Sequence, residues 1–167
     1  MLYFTSDQHF GHYNIIRLCG RPFKTQEEMD EILLLKWNAK VKDNDTVFIL
    51  GDLFFRAAKV EPILKALKGR KHLIVGNHDS SWMTKVKVAD YFESVQTLKE
   101  VNVDGRQLAL CHYPMLSYYR VFRLHVPNHS MLFHLLPFHA TDRVQGISYR
   151  YFHIPQECTL SYDDYIP

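Results

Sequence analysis

Long apolar runs are missing from this chain. No stretch of its 167 residues approaches the roughly 20 consecutive apolar positions of a helical membrane span, so no such span is expected. No charged segment followed by a long apolar region precedes Asp7, so a signal peptide is not expected either. A dominant charge is also absent. The sequence has 20 Lys and Arg against 18 Asp and Glu, a formal net charge of +2, which gives no electrostatic footprint for a stable nucleic-acid partner. The nearest basic cluster, Lys65, Lys68, Arg70 and Lys71, reads as a solvated helix end. Cysteine is scarce: Cys19, Cys111 and Cys158 are an odd count without disulfide-like spacing. Cys111 sits in an apolar run as a small buried hydrophobe, and a reduced, cytoplasmic setting is the expectation. There is no internal repeat and no low-complexity segment, and no signal for oligomeric state can be read.

What is present is an ordinary globular composition, 47% hydrophobic and 23% charged, in a length that favours one domain. Leu2 to Ser6 reads as a buried strand and Asn14 to Cys19 as a short helix, broken by Gly20-Arg21-Pro22. Thr25-Gln26-Glu27-Glu28 is a capping box. Met29, Ile32, Leu33 and Trp37 follow at helical spacing, giving a helix to about Lys40. Thr46 to Leu50 is a fully buried strand. Val60, Ile63, Leu64 and Leu67 mark a second amphipathic helix ended by Gly69. Lys71 to Val75 and Ser94 to Leu98 are further strands. Lys99 to Val103 and Arg106 to Cys111 flank Asp104-Gly105 as a hairpin with a type I′ turn. Strand and helix alternate first and a hairpin follows, which predicts an α/β fold with antiparallel additions.

Polar residues recur where these strands end. Asp7-Gln8-His9 follows Leu2-Tyr3-Phe4, and Gly51-Asp52 follows Val47 to Leu50. Gly76-Asn77-His78-Asp79 follows Leu73-Ile74-Val75, and His112 follows Leu108 to Cys111. Ligand crevices of open α/β sheets lie at the carboxyl ends of strands, so Asp7, His9, Asp52, Asn77, His78 and His112 are expected on one rim. Carboxylate and imidazole together suit mid-series divalent metals. Glycine before Asp52 lets the backbone pass close to such a site, and Asp52, set between apolar runs, needs a buried partner. On a central strand it is the natural bridge between two ions. Read singly, His112 is equally compatible with a core histidine, and Asn77-His78-Asp79 with a polar turn or helix cap. Two metals clamp the attacking and leaving oxygens of an in-line displacement, which points to hydrolysis of phosphate esters.

These blocks, in this order, resemble the calcineurin-like metallophosphoesterase family, from the first strand to about Ser117. Ile15-Ile16-Arg17-Leu18-Cys19-Gly20-Arg21-Pro22-Phe23 and His112-Tyr113-Pro114-Met115 are similar to its small stand-alone bacterial and phage-type members. The resemblance implies an α/β sandwich of two mixed β-sheets flanked by helices. It implies two divalent metal ions, manganese first and iron, zinc or nickel as alternatives. Asp7 and His9 would bind one ion, Asp52 would bridge, and Asn77 and His112 would bind the other. His78 would be the catalytic general acid or charge stabiliser, oriented by Asp79, with His12 touching substrate or supporting its loop. The implied activity is hydrolysis of phosphomonoesters or diesters, small molecules or nucleotides, by direct attack of a metal-bound water.

One departure stands out. The family's Gly-His-x-His block, which completes both metal spheres, is absent, and no His-x-His follows His112. The sequence therefore divides into a metallophosphoesterase core, residues 1–118, and a C-terminal segment, 119–167, with weak periodicity and four of the seven prolines. Either a genuinely divergent tail that supplies His129, His134 or His139 by a different route, or a shifted reading frame near Tyr118 to Val121, accounts for it. Its histidines, His125, His129, His134, His139 and His153, lack ligand spacing. The alternative to an enzyme is thus a catalytically impaired scaffold that binds phosphate or protein.

Overall fold

The computed structural model describes residues 1–115, together with the backbone of 122–125 and 150–152. Strands β1 (Leu2–Thr5), β2 (Thr46–Ile49), β3 (Arg70–Ile74) and β4 (Ser94–Gln96) join β8 (Arg150–Phe152) in a five-stranded sheet of order β4-β3-β2-β1-β8. Every pairing in it is parallel. Strands β5 (Leu98–Val103), β6 (Arg106–Cys111) and β7 (Phe122–His125) form a second sheet, antiparallel between β5 and β6 and parallel between β6 and β7. The helices are α1 (Tyr13–Leu18), α2 (Gln26–Lys40), α3 (Val60–Ala66) and α4 (Ser80–Met83), with a 3-10 turn at Val88–Asp90. The expected elements are present to within one or two residues. Where two mixed sheets were expected, the first sheet is parallel throughout, because its first four strands are joined through helical connections and parallel neighbours need such crossovers.

The alternation of side chains along each strand builds the layers. Tyr3, Val47, Ile49 and Leu73 face one way and pack with Met29, Leu33 and Trp37 of α2, Val60 and Leu64 of α3, and Trp82 of α4. Phe4, Phe48, Leu50 and Ile74 face the other way and meet Val103 and Leu110 of the second sheet. Both faces of the strands are therefore buried, which explains their unbroken apolar sequence. The Thr25 hydroxyl accepts from the Glu28 N–H at 3.1 Å and opens α2. The hairpin turn has Asp104 at φ +50° and Gly105 at φ +79°, the left-handed pair of a type I′ turn. Lys71 is buried and donates to the carbonyls of Leu67 and Gly69 behind α3, rather than lying on a basic surface. No helix among the described residues is long and apolar enough to cross a membrane.

The parallel register is what places the site. Thr5, Ile49 and Leu73 lie side by side at the carboxyl ends of β1, β2 and β3, so the three following loops leave the sheet at one edge. Of the tail histidines, His129, His134, His139 and His153 lie outside the described residues, and only the backbone of His125 is described.

Candidate metal centre

The first two loops are zipped together beyond the sheet. Asp7 N–H donates to the Gly51 carbonyl, His9 N–H to Asp52 and Phe10 N–H to Leu53, at 2.9 to 3.1 Å, and Phe55 N–H returns to Phe10 at 3.0 Å. Phe10 and Phe54 are fully buried and anchor the far ends of both loops. Between strand and anchor the chain is forced into left-handed backbone at Asp7 (φ +55°), His9 (φ +54°) and Asp52 (φ +55°). A non-glycine residue there costs of order 1–3 kcal/mol and persists only when its surroundings over-determine it, which happens most often at functional sites. These three residues are also the described histidines and carboxylates whose donor atoms lie within 4.8 Å of one another.

Asp52 is the hub. Its Oδ2 lies 3.7 Å from His9 Nε2, 3.8 Å from His78 Nε2 and 3.7 Å from His112 Nε2. His9 Nε2 is also 3.6 Å from Asp7 Oδ1, and His112 Nε2 is 3.0 Å from Asn77 Oδ1. Two donors that share an ion about 2.0–2.2 Å away stand roughly 3–3.6 Å apart, so these spacings suit a shared cation. The structure brings all six sequence-predicted residues together, with Asp7 beside His9 and Asn77 beside His112. Asp52, His9 and His112 are buried, Asp7 and His78 partly covered, and Asn77 exposed at the rim.

The protonation pattern fits a metal as well. His112 Nδ1 donates to the Leu50 carbonyl at 2.8 Å, which leaves the Nε2 lone pair facing the oxygens of Asn77 and Asp52. Nitrogen and oxygen donors that converge in this way suit a cation. On the other side His9 Nδ1 lies 3.3 Å from His12 Nδ1, and a proton on His9 Nδ1 leaves its Nε2 for Asp7 and Asp52. His12 is buried against the Phe55 ring, with centroids 3.9 Å apart. Burial first, and then the neighbouring His9 and His78, lower its pKa to about 3, so it stays neutral and able to accept. The glycines complete the cradle: a Cβ at Gly76 would strike the Asp52 carboxylate, and one at Gly51 would strike the His112 ring.

His78 stands at the mouth. Its N–H donates to Asp52 Oδ1 at 3.0 Å, and its ring meets the Phe55 edge at 4.7 Å. Burial lowers its pKa, opposed by Asp52. Asp79, expected to orient His78, hydrogen-bonds elsewhere. Its carboxylate accepts from the N–H groups of Asp52 (2.9 Å), Leu53 (3.0 Å) and Gly76 (2.8 Å) and from the Trp82 indole (2.7 Å). It thereby ties the second loop to the third, and burial raises its pKa. Asp30 of α2 accepts from the Gly11 N–H through both oxygens, at 3.0 and 3.1 Å, a support that no sequence motif announced.

A five-stranded parallel sheet stacked on a smaller one, with a cluster of metal donors at its strand ends, defines a metal-site α/β sandwich. The model of the calcineurin-like phosphoesterase family matches residues 2–157, and the chain belongs to that family. An uncharacterized protein of Methanocaldococcus jannaschii is 38% identical over 120 residues, 70% of this chain and 61% of that protein. The Gene 66 protein of Mycobacterium phage D29 is 30% identical over 135 residues, 70% of this chain and 65% of its own length. A crystal structure of a protein of unknown function from Aquifex aeolicus superposes with a TM-score of 0.55 at 31% identity, over 68% of this chain and 61% of that one. The chain thus spans less than two thirds of each of these relatives.

Proposed function

We propose that the protein hydrolyses phosphomonoesters or phosphodiesters at a centre of two divalent ions, with a small molecule or nucleotide as substrate. The observation that carries this reading is the convergence of three imidazole nitrogens on one carboxylate oxygen, Asp52 Oδ2, with Asp7 against His9 and Asn77 against His112. Asp7 and His9 would hold one ion, Asn77 and His112 the other, and Asp52 both. That gives three protein donors to each ion, the number catalytic sites keep while leaving positions open for substrate. When bound, such a pair supplies an ionised nucleophile at neutral pH and Lewis acidity toward the phosphoryl oxygens. The absent Gly-His-x-His block would therefore lower coordination without abolishing it.

The protein's own groups do the rest. His78, its backbone held by Asp52 and its ring against Phe55, would stabilise charge on the phosphoryl group or protonate the leaving oxygen. Manganese as the resident ion rests on donor chemistry. Cys19 is disulfide-bonded, which goes against the reduced setting expected from the cysteine count. The division into a 1–118 core and a divergent 119–167 segment belongs to the same reading, and limited proteolysis of the full chain tests it. The decisive experiment is hydrolysis of bis-p-nitrophenyl phosphate with added manganese, run beside Asp52→Asn. Turnover is expected to fall by roughly 10³-fold or more with the fold retained. A preserved rate in the variant would overturn the reading. Absence of turnover with manganese, iron, zinc and nickel in the wild type would favour the binding scaffold.

A further inference from the structure

Arg21 lies in the Gly20-Arg21-Pro22 segment between α1 and α2 and is 4% exposed. Its Nη1 donates to the Gln8 carbonyl at 2.7 Å, with Met29 Sδ 3.3 Å away, and its Nη2 donates to the Asp7 carbonyl at 2.8 Å. No carboxylate lies within ion-pair distance of it among the described residues. Its Nε has no hydrogen-bond partner there. Asp7 and Asp30 act on it only through space, and burial lowers its pKa to about 10, so it is still charged at neutral pH. A buried cation without an ion pair is an expensive way to fill space. What the guanidinium provides here is geometry. Its planar fork holds two successive carbonyls at once, and they belong to the turn in which Asp7 and His9 adopt left-handed backbone.

We propose that Arg21 is the positioning residue of the first half of the centre. By fixing the carbonyls of Asp7 and Gln8 it holds the Asp7 and His9 side chains at the spacing of ion donors around Asp52. The proposal rests on the reading of Asp7 and His9 as metal ligands. It assigns Arg21 no contact with substrate and no part in the second half, formed by Asn77 and His112.

Manganese binding by the full chain tests it, measured by calorimetry and by the spin-coupled electron paramagnetic resonance signal of an ion pair. Both are recorded for the wild type, Arg21→Met and Arg21→Lys, beside thermal melting of the metal-free proteins. Arg21→Met orphans two carbonyls and is expected to melt only slightly lower than the wild type. It is expected to lose the coupled signal and to bind one of its two ions about 10–100-fold more weakly, as is usual when a partner that orients a ligand is removed. Arg21→Lys keeps the charge without the fork and is expected to fall between the two. It also carries the test if Arg21→Met does not fold. Two ions bound with wild-type affinity by both variants would overturn the proposal. So would a lower melting point with both ions weakened equally, the mark of a merely structural residue. A wild type that binds no manganese would take the metal reading down and this proposal with it. A wild type that binds two ions beside variants that also bind two would remove only the role of Arg21.

Discussion

The two halves of the centre are braced by buried groups of opposite charge. Beneath Asp7 and Gln8 the backbone turns its carbonyls inward, and a buried cation, Arg21, collects them. Between Asp52, Leu53 and Gly76 the backbone turns its N–H groups inward, and a buried carboxylate, Asp79, collects those. The sign of each brace follows from the pole of the peptide that its loop presents. The braces also differ in completeness. Both Asp79 oxygens are hydrogen-bonded, to four donors in all, whereas Arg21 leaves its Nε unmatched. The first brace shapes a single turn within one loop. The second fastens two loops, 51–53 and 76–79, and through Trp82 also α4.

That difference is broken most directly at Asp79. Asp79→Ala strips three buried N–H groups and the Trp82 indole of their acceptor. Each orphaned group costs about 1–3 kcal/mol, and relaxation will recover part of it, so a loss of about 3–5 kcal/mol is expected. Urea denaturation of the metal-free protein checks it, beside Arg21→Met, which orphans only two carbonyls and is expected to lose less. If both variants lose the same amount, the two braces are alike and the comparison fails.

Gly76→Ala sharpens the same contrast with less damage to the fold. A Cβ there meets the Asp52 carboxylate, and overpacking of this kind typically costs about 1–3 kcal/mol. The carboxylate has to rotate, and because its Oδ2 faces both halves, manganese affinity is expected to weaken on both sides. A displacement near 1 Å is worth about 10²-fold in rate. Calorimetry separates this outcome from that of Arg21→Met, where only one ion is affected. Loss of a single ion in Gly76→Ala would show that Asp52 does not serve both.

Much of the centre was legible because strand ends are legible. Buried apolar runs followed by Asp, His or Asn fixed the order of the loops, and parallel pairing brought them to one edge. The type I′ turn at Asp104-Gly105 and the cap at Thr25 were readable for the same reason: their chemistry is local. The braces were not. Arg21 read as part of a helix break and of a family-like run, with no role of its own, and Asp79 as a partner for His78. Their contacts are side chain to backbone across 13 or more positions for Arg21 and up to 27 for Asp79, and such contacts leave no spacing in the sequence. Asp30 holding Gly11 across 19 positions is of the same kind. The left-handed backbone at Asp7 and His9 was hidden because neither residue is glycine. Asp and His are among the residues that tolerate that region, and only Gly51 signalled a close approach.

The smallest effect is expected at the far end of the first brace. From α2, Asp30 accepts from Gly11 of the first loop and Met29 lies against Arg21, so the N-terminus of that helix is the brace's most distant support. Thr25→Ala removes the acceptor of the Glu28 N–H and is expected to cost about 1 kcal/mol, the usual worth of such a cap. Turnover and manganese stoichiometry should nevertheless stay within about twofold of the wild type, since independent sites add rather than couple. The reason lies in what holds α2 down. Met29, Leu33 and Trp37 are buried against the sheet, and the Trp37 indole donates to the Lys68 carbonyl at 3.0 Å. These contacts fix the helix along its length whatever happens at its first turn. A melting curve that shifts beside an unchanged manganese isotherm would confine the first half's support to Arg21, Asp30 and their immediate neighbours. An isotherm that weakens for one ion in step with the melting point would extend that support to the helix end, and the first brace would then be as delocalised as the second.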